Sequence, residues 1–143
     1  MAGKIRVQVV TPRRMLLDKE VEEVIAPGIL GEFGVLIGHT PMLTFIKPGL
    51  LSYLENDRFT KFVVGSGFCE VLKDQVTVLV DEAYAKDEID IQEAEADAAR
   101  LEQELSKISS LTDPQKHADI TNQLRVARAK IALATGGEGL TKH

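Results

Sequence analysis

Cysteine is nearly absent from this sequence, and tryptophan is absent altogether. The single cysteine, Cys69, cannot form an intramolecular disulfide, so the fold depends on a hydrophobic core, for which 143 residues are sufficient. Aromatic residues make up only 5% of the chain, and the net charge is −5 at pH 7. A nucleic-acid-binding surface needs clustered positive charge. We therefore expect no nucleic-acid partner.

Long apolar runs are also missing. No segment approaches the roughly 20 apolar residues that a transmembrane helix requires. The first ten residues, MAGKIRVQVV, lack both the apolar stretch of a signal peptide and the Arg- and Ser-rich character of a transit peptide. These absences predict a soluble protein on the cytosolic side, which contacts a membrane only through partner proteins.

Motifs of enzymes and metal sites do not occur. The histidines His39, His117 and His143 show no HxxxH or HExxH spacing and have no cysteine cluster beside them. There is no GxSxG, GxxxxGK[ST] or GxGxxG motif. The stretch Gly65-Ser66-Gly67 offers no identifiable base for its serine, so we expect a tight turn whose glycines adopt positive φ. We predict no catalytic residue, no metal and no cofactor.

Up to about Glu82, apolar residues alternate with polar ones or form short blocks separated by Gly, Pro, Asn and Asp. This pattern is typical of β-strands and turns. The predicted strands are a first one around Ile5, Val7 and Val9, then Met15–Leu17, Val21–Ala26, Gly34–Leu36, Leu43–Ile46, Leu50–Leu54, Phe59–Val64, Phe68–Leu72 and Gln75–Val80. So many short strands cannot bury their inner faces as one flat sheet. We expect an antiparallel β-sandwich or flattened barrel over residues 1–84.

The composition changes after Val80, and neither Gly nor Pro occurs between Asp81 and Thr112. Two apolar stripes with spacings of three and four predict two helices. The stripes are Ile91, Ala94, Ala98, Leu101, Leu105 and Ile108, then Ile120, Leu124, Ala127, Ile131 and Ala134. The turn at Ser109–Asp113 is short, so we expect an antiparallel helical hairpin over residues 85–143. Narrow, alanine-rich stripes bury little surface, which predicts a weakly held hairpin.

Helix boundaries and charge support this division. Asp90 and Asp113 are expected N-caps, Pro114 is expected to be the first residue of the second helix, and Gly136-Gly137 should end it. Residues 87–107 contain eight acids and two bases, whereas residues 114–135 contain four bases and one acid. The balances of −6 and +3 favour pairing of the helices. They also leave a cationic second helix available to an acidic partner.

Several strings in this order resemble the epsilon subunit of F-type (rotary) ATP synthases. They are GEFGVLIGHTPMLTFIKPG at Gly31–Gly49, VGSGFCEV at Val64–Val71, VTVLVDEA at Val76–Ala83 and the opening VQVVTP at Val7–Pro12. The resemblance covers essentially the whole chain, including the position of the hairpin. Ile37 departs from it, because the family usually has proline before Gly-His.

The resemblance implies a non-catalytic subunit of the central stalk, peripheral on the cytoplasmic face of the bacterial inner membrane. In the family, the β-sandwich binds the gamma subunit with one face and rests on the ring of c subunits. The turn that matches Gly31–Pro41 meets that ring, so the implied contact residues are Glu32, Gly38 and His39. We expect the acid and the histidine to lie on neighbouring loops, where both can bind polar loops of the ring.

The resemblance also implies a regulatory hairpin. Folded down, it permits turnover; extended, its basic second helix enters the α/β hexamer and inhibits ATP hydrolysis. The residues implied to contact the beta subunit are Arg125, Arg128 and Lys130.

Some relatives bind ATP at the hairpin through a pattern of the form I-D-x-x-R-A. Here Glu93 replaces the arginine, which puts a repulsive carboxylate beside a triphosphate. Asp90 and Arg100 are left as weak candidates. We predict little or no ATP binding, with Asp90 and Glu93 acting mainly in a helix cap.

Two other interpretations stay open at this point. One is a free-standing β-sandwich binding module whose helical arm joins two chains through the apolar stripes. The other is an enzyme, which lacks any assembled site in this sequence.

Overall fold

The computed structural model describes residues 3–136. Ten strands precede two helices, with a short 3₁₀ turn at Lys86–Glu88 between them. The strands are β1 (Ile5–Val10), β2 (Met15–Val21), β3 (Glu23–Gly28), β4 (Gly31–Val35), β5 (Met42–Ile46), β6 (Gly49–Glu55), β7 (Arg58–Val64), β8 (Gly67–Leu72), β9 (Gln75–Val80) and β10 (Ala83–Ala85). The helices are α1 (Ile91–Ser106) and α2 (Pro114–Ala134). The predicted β-sandwich followed by a helical hairpin is confirmed.

The ten strands form one sheet that folds over on itself into a nearly closed sandwich. They pair in the order β10-β7-β6-β3-β5-β8-β9-β1-β2, with β4 attached to β3. The expectation of purely antiparallel pairing is wrong at one place, because β1 runs parallel to β9, with Val7 beside Val76. A tight turn forces antiparallel pairing only between strands that it joins, and most of the sandwich separates these two in sequence.

The core lies between the two layers of this folded sheet. Ile5, Val7 and Val9 are completely buried, which confirms that they share the inner face of β1. Cys69 belongs to the same apolar cluster. Its burial raises the pKa of the thiol to about 12, so it stays protonated and packs as a small apolar side chain.

The glycines of the link between β7 and β8 have a different role from the predicted one. Neither Gly65 nor Gly67 has a positive φ. A Cβ at Gly67 would clash with the backbone oxygen of Leu79, so this position needs glycine. A Cβ at Gly65 would clash with the side chains of Asp81 and Glu82, which would have to move to accommodate a larger residue.

Strand β10 does not appear among the predicted strands. It pairs with β7, with Ala83 opposite Val64 and Ala85 opposite Phe62, so the sheet reaches the predicted domain boundary at residues 84/85 and extends one residue past it. Three residues are too short to show alternation, and Glu82 and Lys86 flank them with charge. The sequence therefore gives no periodic signal for this strand.

Both helices begin where the sequence predicts. The Asp90 side chain accepts hydrogen bonds from the backbone N–H groups of Gln92 and Glu93, at 3.1 and 3.2 Å. Asp113 caps α2, whose first residue is Pro114. After the helix, Gly136 has φ +91°, as expected for the end of a helix. The predicted second glycine, Gly137, and His143 lie outside the described residues.

The two predicted stripes pack against each other within one chain. Ala98 and Leu101 of α1 and Ile120, Leu124 and Ala127 of α2 form one buried cluster. A dimerisation arm would need these stripes to be free, and they are covered here. Within residues 3–136, neither helix is long and apolar enough to cross a membrane.

A second face of α2 packs on the outer surface of the sheet. Val126, Ala129 and Leu133 cluster with Val63 of β7, which is completely buried. These three helix residues also recur at steps of three and four, so a second stripe was present in the sequence. It places the hairpin in a folded-down position against β6, β7 and the 3₁₀ turn.

Candidate functional site: partner-binding surfaces

An apolar row crosses the outer face of the sheet opposite the core. Phe45, Phe68 and Leu79 lie side by side on β5, β8 and β9, and Val10 of β1 continues the row. The three large side chains are 66%, 40% and 37% exposed. An antiparallel sheet that faces water normally carries polar residues on that face. We call the outer surface of β5, β8, β9 and β1 the apolar sheet face.

This face was missed by sequence reasoning. Leu43, which is 70% exposed, and Phe45 both point outward from β5, while Ile46 at its end is buried. Alternation shows which residues share a face of a strand, but not which face becomes the interior when both contain apolar residues. The available signal was the excess of apolar residues on both faces of β5. Such a surface in a protein monomer marks a binding site more often than chance.

The predicted ring-contact residues do not lie on neighbouring loops, and that expectation is wrong. Glu32 is an exposed residue near the start of β4, whereas Gly38 and His39 follow the opposite end of the strand. At about 3.3 Å per strand residue, roughly 10 Å of strand separates Glu32 from the far end alone. An extended strand keeps its two ends apart, so Glu32 and His39 lie towards opposite ends of β4.

The loop that contains Gly38 and His39 is held in place by local bonds. The backbone N–H of Gly38 donates to the Asp74 carboxylate at 2.7 Å, which ties the loop to the β8–β9 turn. Gly38 has φ +82°, a conformation that favours glycine. The His39 Nδ1 atom lies 2.7 Å from the Thr40 carbonyl oxygen, and the histidine itself is half-buried. This contact involves one ring nitrogen and a neighbour in the chain.

Glu32 has other neighbours that the sequence analysis did not select. The β3–β4 turn carries Ile29 and Leu30, which are 57% and 97% exposed. Turn residues are usually polar or Gly/Pro, so two exposed apolar residues in the PGILGE stretch were a detectable sign. Together with Glu32 they form what we call the β3–β4 tip.

The three predicted inhibitory residues lie on α2 and make three different contacts. Arg128 forms an ion pair with Glu102 of α1, at 2.6 Å. The Lys130 ammonium lies 4.1 Å from the centre of the Tyr84 ring, a cation–π contact with β10. Arg125 only approaches the side-chain oxygen of Asn122, at 3.5 Å. Two of the three cations, Arg128 and Lys130, are therefore already engaged in contacts while the hairpin is folded down.

Tyr84 is itself held at the junction of hairpin and sheet. Its hydroxyl donates a 2.7 Å hydrogen bond to Glu82. Burial, followed by this bond, raises the pKa of Tyr84 to about 12, so the phenol remains a neutral donor at physiological pH. The neutral Tyr84 ring can therefore lie beneath the Lys130 ammonium while its hydroxyl is hydrogen-bonded to Glu82.

The nucleotide candidates are poorly suited to a triphosphate. Asp90 is used as the helix cap, and Arg100 is engaged by Glu104 at 3.0 Å and Asp97 at 3.5 Å on its own helix. Arg100 lines a cavity of about 270 Å³ between the helices together with Asp97, Glu82 and Lys130. Two of these four charged side chains are acidic. Among residues 3–136, no group of three or more His, Cys, Asp or Glu could hold a metal ion.

We expect the full chain to bind ATP with a dissociation constant weaker than about 1 mM, which corresponds to only about 4 kcal/mol. Glu93 repels phosphate, and Arg100 is already neutralised by two carboxylates. Isothermal titration calorimetry with Mg-ATP measures this directly. Glu93→Arg restores the family pattern and should tighten binding, while Glu95→Arg adds the same charge at a position outside the pattern. Micromolar affinity of the unaltered chain would contradict the prediction.

A bidentate ion pair fastens the sandwich to the start of the hairpin. The Arg14 guanidinium binds both carboxylate oxygens of Glu88, at 2.7 and 2.8 Å, and donates to the Ala83 carbonyl at 3.0 Å. The Ala85 backbone N–H also donates to Glu88 at 2.8 Å. The bond to Arg14, then that to Ala85, lowers the pKa of Glu88 from 4.5 to about 2.

This pair predicts an acid-dependent stability difference. The folded pKa of Glu88 lies below its unfolded value, so its contribution is present above about pH 4.5 and is lost as the pH falls towards 2. Its side chain is 37% exposed, so screening limits the effect of Glu88→Gln to about 1 kcal/mol at pH 7. Urea unfolding at pH 7 and pH 2.5 tests this, with Glu104→Gln as the control. An equal loss at both pH values would refute the role of ionisation.

The comparisons with known proteins agree with these features. Residues 4–86 match the family described as ATP synthase, delta/epsilon chain, β-sandwich domain. The chain is 40% identical over 142 residues to the ATP synthase epsilon chain of Geobacter metallireducens and 46% identical to that of Geotalea uraniireducens. Each alignment covers 99% of this chain and 100% of the relative.

A solved structure shows the same fold at low identity. It is the Euglena gracilis mitochondrial ATP synthase, OSCP/F1/c-ring in rotational state 1, with a TM-score of 0.75 and 18% identity. The match covers 90% of this chain and 80% of that chain. The full-length relatives confirm, across both parts of the molecule, the family resemblance that the sequence strings predicted. On the β-sandwich match and the full-length relatives together, this chain belongs to the ATP synthase epsilon chain family.

Proposed function

We propose that this chain is a non-catalytic central-stalk subunit of a rotary ATP synthase, peripheral at the cytoplasmic face of the bacterial inner membrane. It couples ion-driven rotation of the c-ring to ATP synthesis, and its C-terminal helices restrain ATP hydrolysis. Its family membership supports this proposal, as does the likeness to a chain in a structure that contains F1 and a c-ring. The observation that carries it is the apolar sheet face, which the chain's own hairpin leaves uncovered.

The apolar sheet face is the proposed docking surface for the gamma subunit. The hairpin covers Val63 and Leu50 on β7 and β6, so it lies on a different part of the sheet. Phe45, Phe68 and Leu79 remain exposed. Burying apolar surface stabilises an interface by roughly 25 cal/mol per Å², and aromatic residues at its centre contribute most. A partner with a complementary apolar patch gains this energy without displacing the hairpin.

The β3–β4 tip is the proposed contact with the c-ring. Glu32 provides a carboxylate for polar loops of the ring, and Ile29 and Leu30 provide apolar contact at the same end. Gly38 and His39 reach the same partner only if it also extends along β4. Within the part of the chain that the structure describes, that strand pairs with β3 alone, so its other edge has no strand beside it. We propose Glu32 as the main ring contact and His39 as a second one along this edge.

Reconstitution with separate partners tests this assignment. Glu32→Ala combined with His39→Ala is expected to leave gamma binding unchanged while reducing retention on c-rings and ion-coupled ATP synthesis. Glu32 is exposed, and His39 is half-buried with its ring bonded to the next residue only, so the fold should tolerate both changes. Glu20→Ala combined with His117→Ala is a matched control, because it removes the same residue types elsewhere. Failure of the unaltered chain to bind gamma would refute the proposed function, and unchanged coupling by the double variant would refute the ring assignment.

The hairpin is suited to act as a reversible brake because its hold on the sheet is small. Among residues 3–136, Val126 and Leu133 are the large apolar side chains of α2 that are buried against the sheet, and each such burial contributes roughly 1.5–3 kcal/mol. Detachment therefore costs on the order of 5 kcal/mol. A partner that binds the extended form can supply a difference of this size. We propose that Arg125, Arg128 and Lys130 provide that binding by contacting acidic segments of the beta subunit.

A further inference from the structure

A groove separates the apolar sheet face from α2. Its volume is about 510 Å³, and its lining combines the exposed Ile29, Phe45 and Phe68 with Lys47 and Arg125. The row of the sheet face thus continues into the groove through Phe45 and Phe68. The opposite wall belongs to α2, so the groove exists only while the hairpin is folded down.

The charged side chains that line this groove are of one sign. Lys47 and Arg125 line it, and its lining includes no acidic side chain among the described residues. The guanidinium of Arg125 has no carboxylate within 4 Å in residues 3–136, whereas Arg128 is paired with Glu102. The charge of this lining is opposite in sign to the net charge of −5 of the whole chain. It favours a carboxylate on the occupant.

The size of the sheet face also points towards the groove. Four strands about 4.8 Å apart and some five residues long project an area of about 300 Å². A stable interface usually buries about 800 Å² on each partner. A partner docked on the apolar sheet face therefore extends past the sheet. The groove is the adjoining surface that is both apolar and cationic.

We propose that the gamma-type partner inserts a segment into this groove, with an apolar side chain against Phe45 and Phe68 and a neighbouring carboxylate at Arg125. This inference rests on the proposed function and adds a regulatory consequence. One partner then contacts the sheet and α2 together, so its binding stabilises the folded-down hairpin. By linkage, displacement of the hairpin weakens partner binding by the same factor.

Charge reversal at the groove tests the contact. Arg125→Glu in the full chain is expected to weaken gamma binding about tenfold at 0.1 M salt, with a smaller effect at 1 M, where the Debye length falls to about 3 Å. Lys116→Glu makes the same charge change near the start of the same helix, outside the groove, and should leave the affinity within about twofold. An equal effect of both variants would overturn the proposal, since only general charge would matter.

Hydrogen exchange separates this inference from the proposed function. Gamma binding to the unaltered full chain should slow amide exchange in α2 as well as in β5 and β8. Protection of the strands with unchanged α2 would overturn the groove assignment and leave gamma docking intact. If the unaltered chain does not bind gamma at all, the proposed function is refuted. A concentration-dependent dimer that Arg125→Glu dissociates would assign the groove to a second copy instead.

Discussion

Phe45→Asp is expected to lower the affinity of this chain for the gamma subunit by at least about 100-fold, or about 2.7 kcal/mol. Phe45 belongs to the apolar row that crosses strands β5, β8 and β9. Its side chain is 66% exposed, so an aspartate at this position remains in contact with water in the free chain. In the complex, the carboxylate is buried against apolar groups without a partner, which is strongly unfavourable. Aromatic residues near the centre of an interface are also the ones whose loss has the largest effect.

The control is Leu111→Asp. Leu111 is another exposed apolar residue, 91% accessible, but it lies in the turn between the helices. Surface plasmon resonance with immobilised gamma measures both affinities, and circular dichroism should show equal thermal stability. If Phe45→Asp binds as tightly as the unaltered chain, the apolar sheet face is not the docking surface.

Neutralising Arg125, Arg128 and Lys130 together should raise ATP hydrolysis by the reconstituted complex. Losing three charge contacts of roughly 0.5 kcal/mol each reduces occupancy of the inhibited state by about tenfold. The direction of the change is informative, because Lys130 also holds the hairpin on the sheet through Tyr84, and Arg128 joins α2 to α1 through Glu102. If these cations acted only as restraints, their loss would free the hairpin and lower hydrolysis instead.

The matched control neutralises Lys73, Lys107 and Lys116, which alters the net charge equally outside the proposed contact. Steady-state hydrolysis without an ion gradient is the readout, and a chain ending at Asp87 gives the uninhibited reference. The inhibitory assignment fails if both the triple variant and the shortened chain leave hydrolysis unchanged.

Local patterns were sufficient for most secondary structure in this protein. Alternation identified the strands, and the spacing of three and four residues identified both helices, because each pattern repeats over enough residues to be read. Asp90 and Asp113 could be assigned as caps for the same reason, since capping involves only neighbours in the chain. Strand β10 was not predicted because three residues are too few to show an alternation of apolar and polar side chains.

The candidate surfaces were predictable only in part. Glu32, Gly38 and His39 came from family strings, and the structure separates the first from the other two along β4. They were expected to lie close together because they are close in sequence, but an extended strand holds residues at its two ends apart. The β3–β4 tip and the apolar sheet face depend on which apolar residues are left uncovered. That outcome follows from packing between strands far apart in the chain.

The sequence by itself determined a β-rich part, a helical hairpin and the family to which both belong, because these depend on local periodicity and on specific strings. Only the tertiary structure decided that β1 joins β9 in parallel, that a second face of α2 covers Val63, and that Phe45 and Phe68 stay exposed. Apolar residues on both sides of a strand or helix compete for the same interior. Which side is buried is settled by the partners that the whole fold brings together.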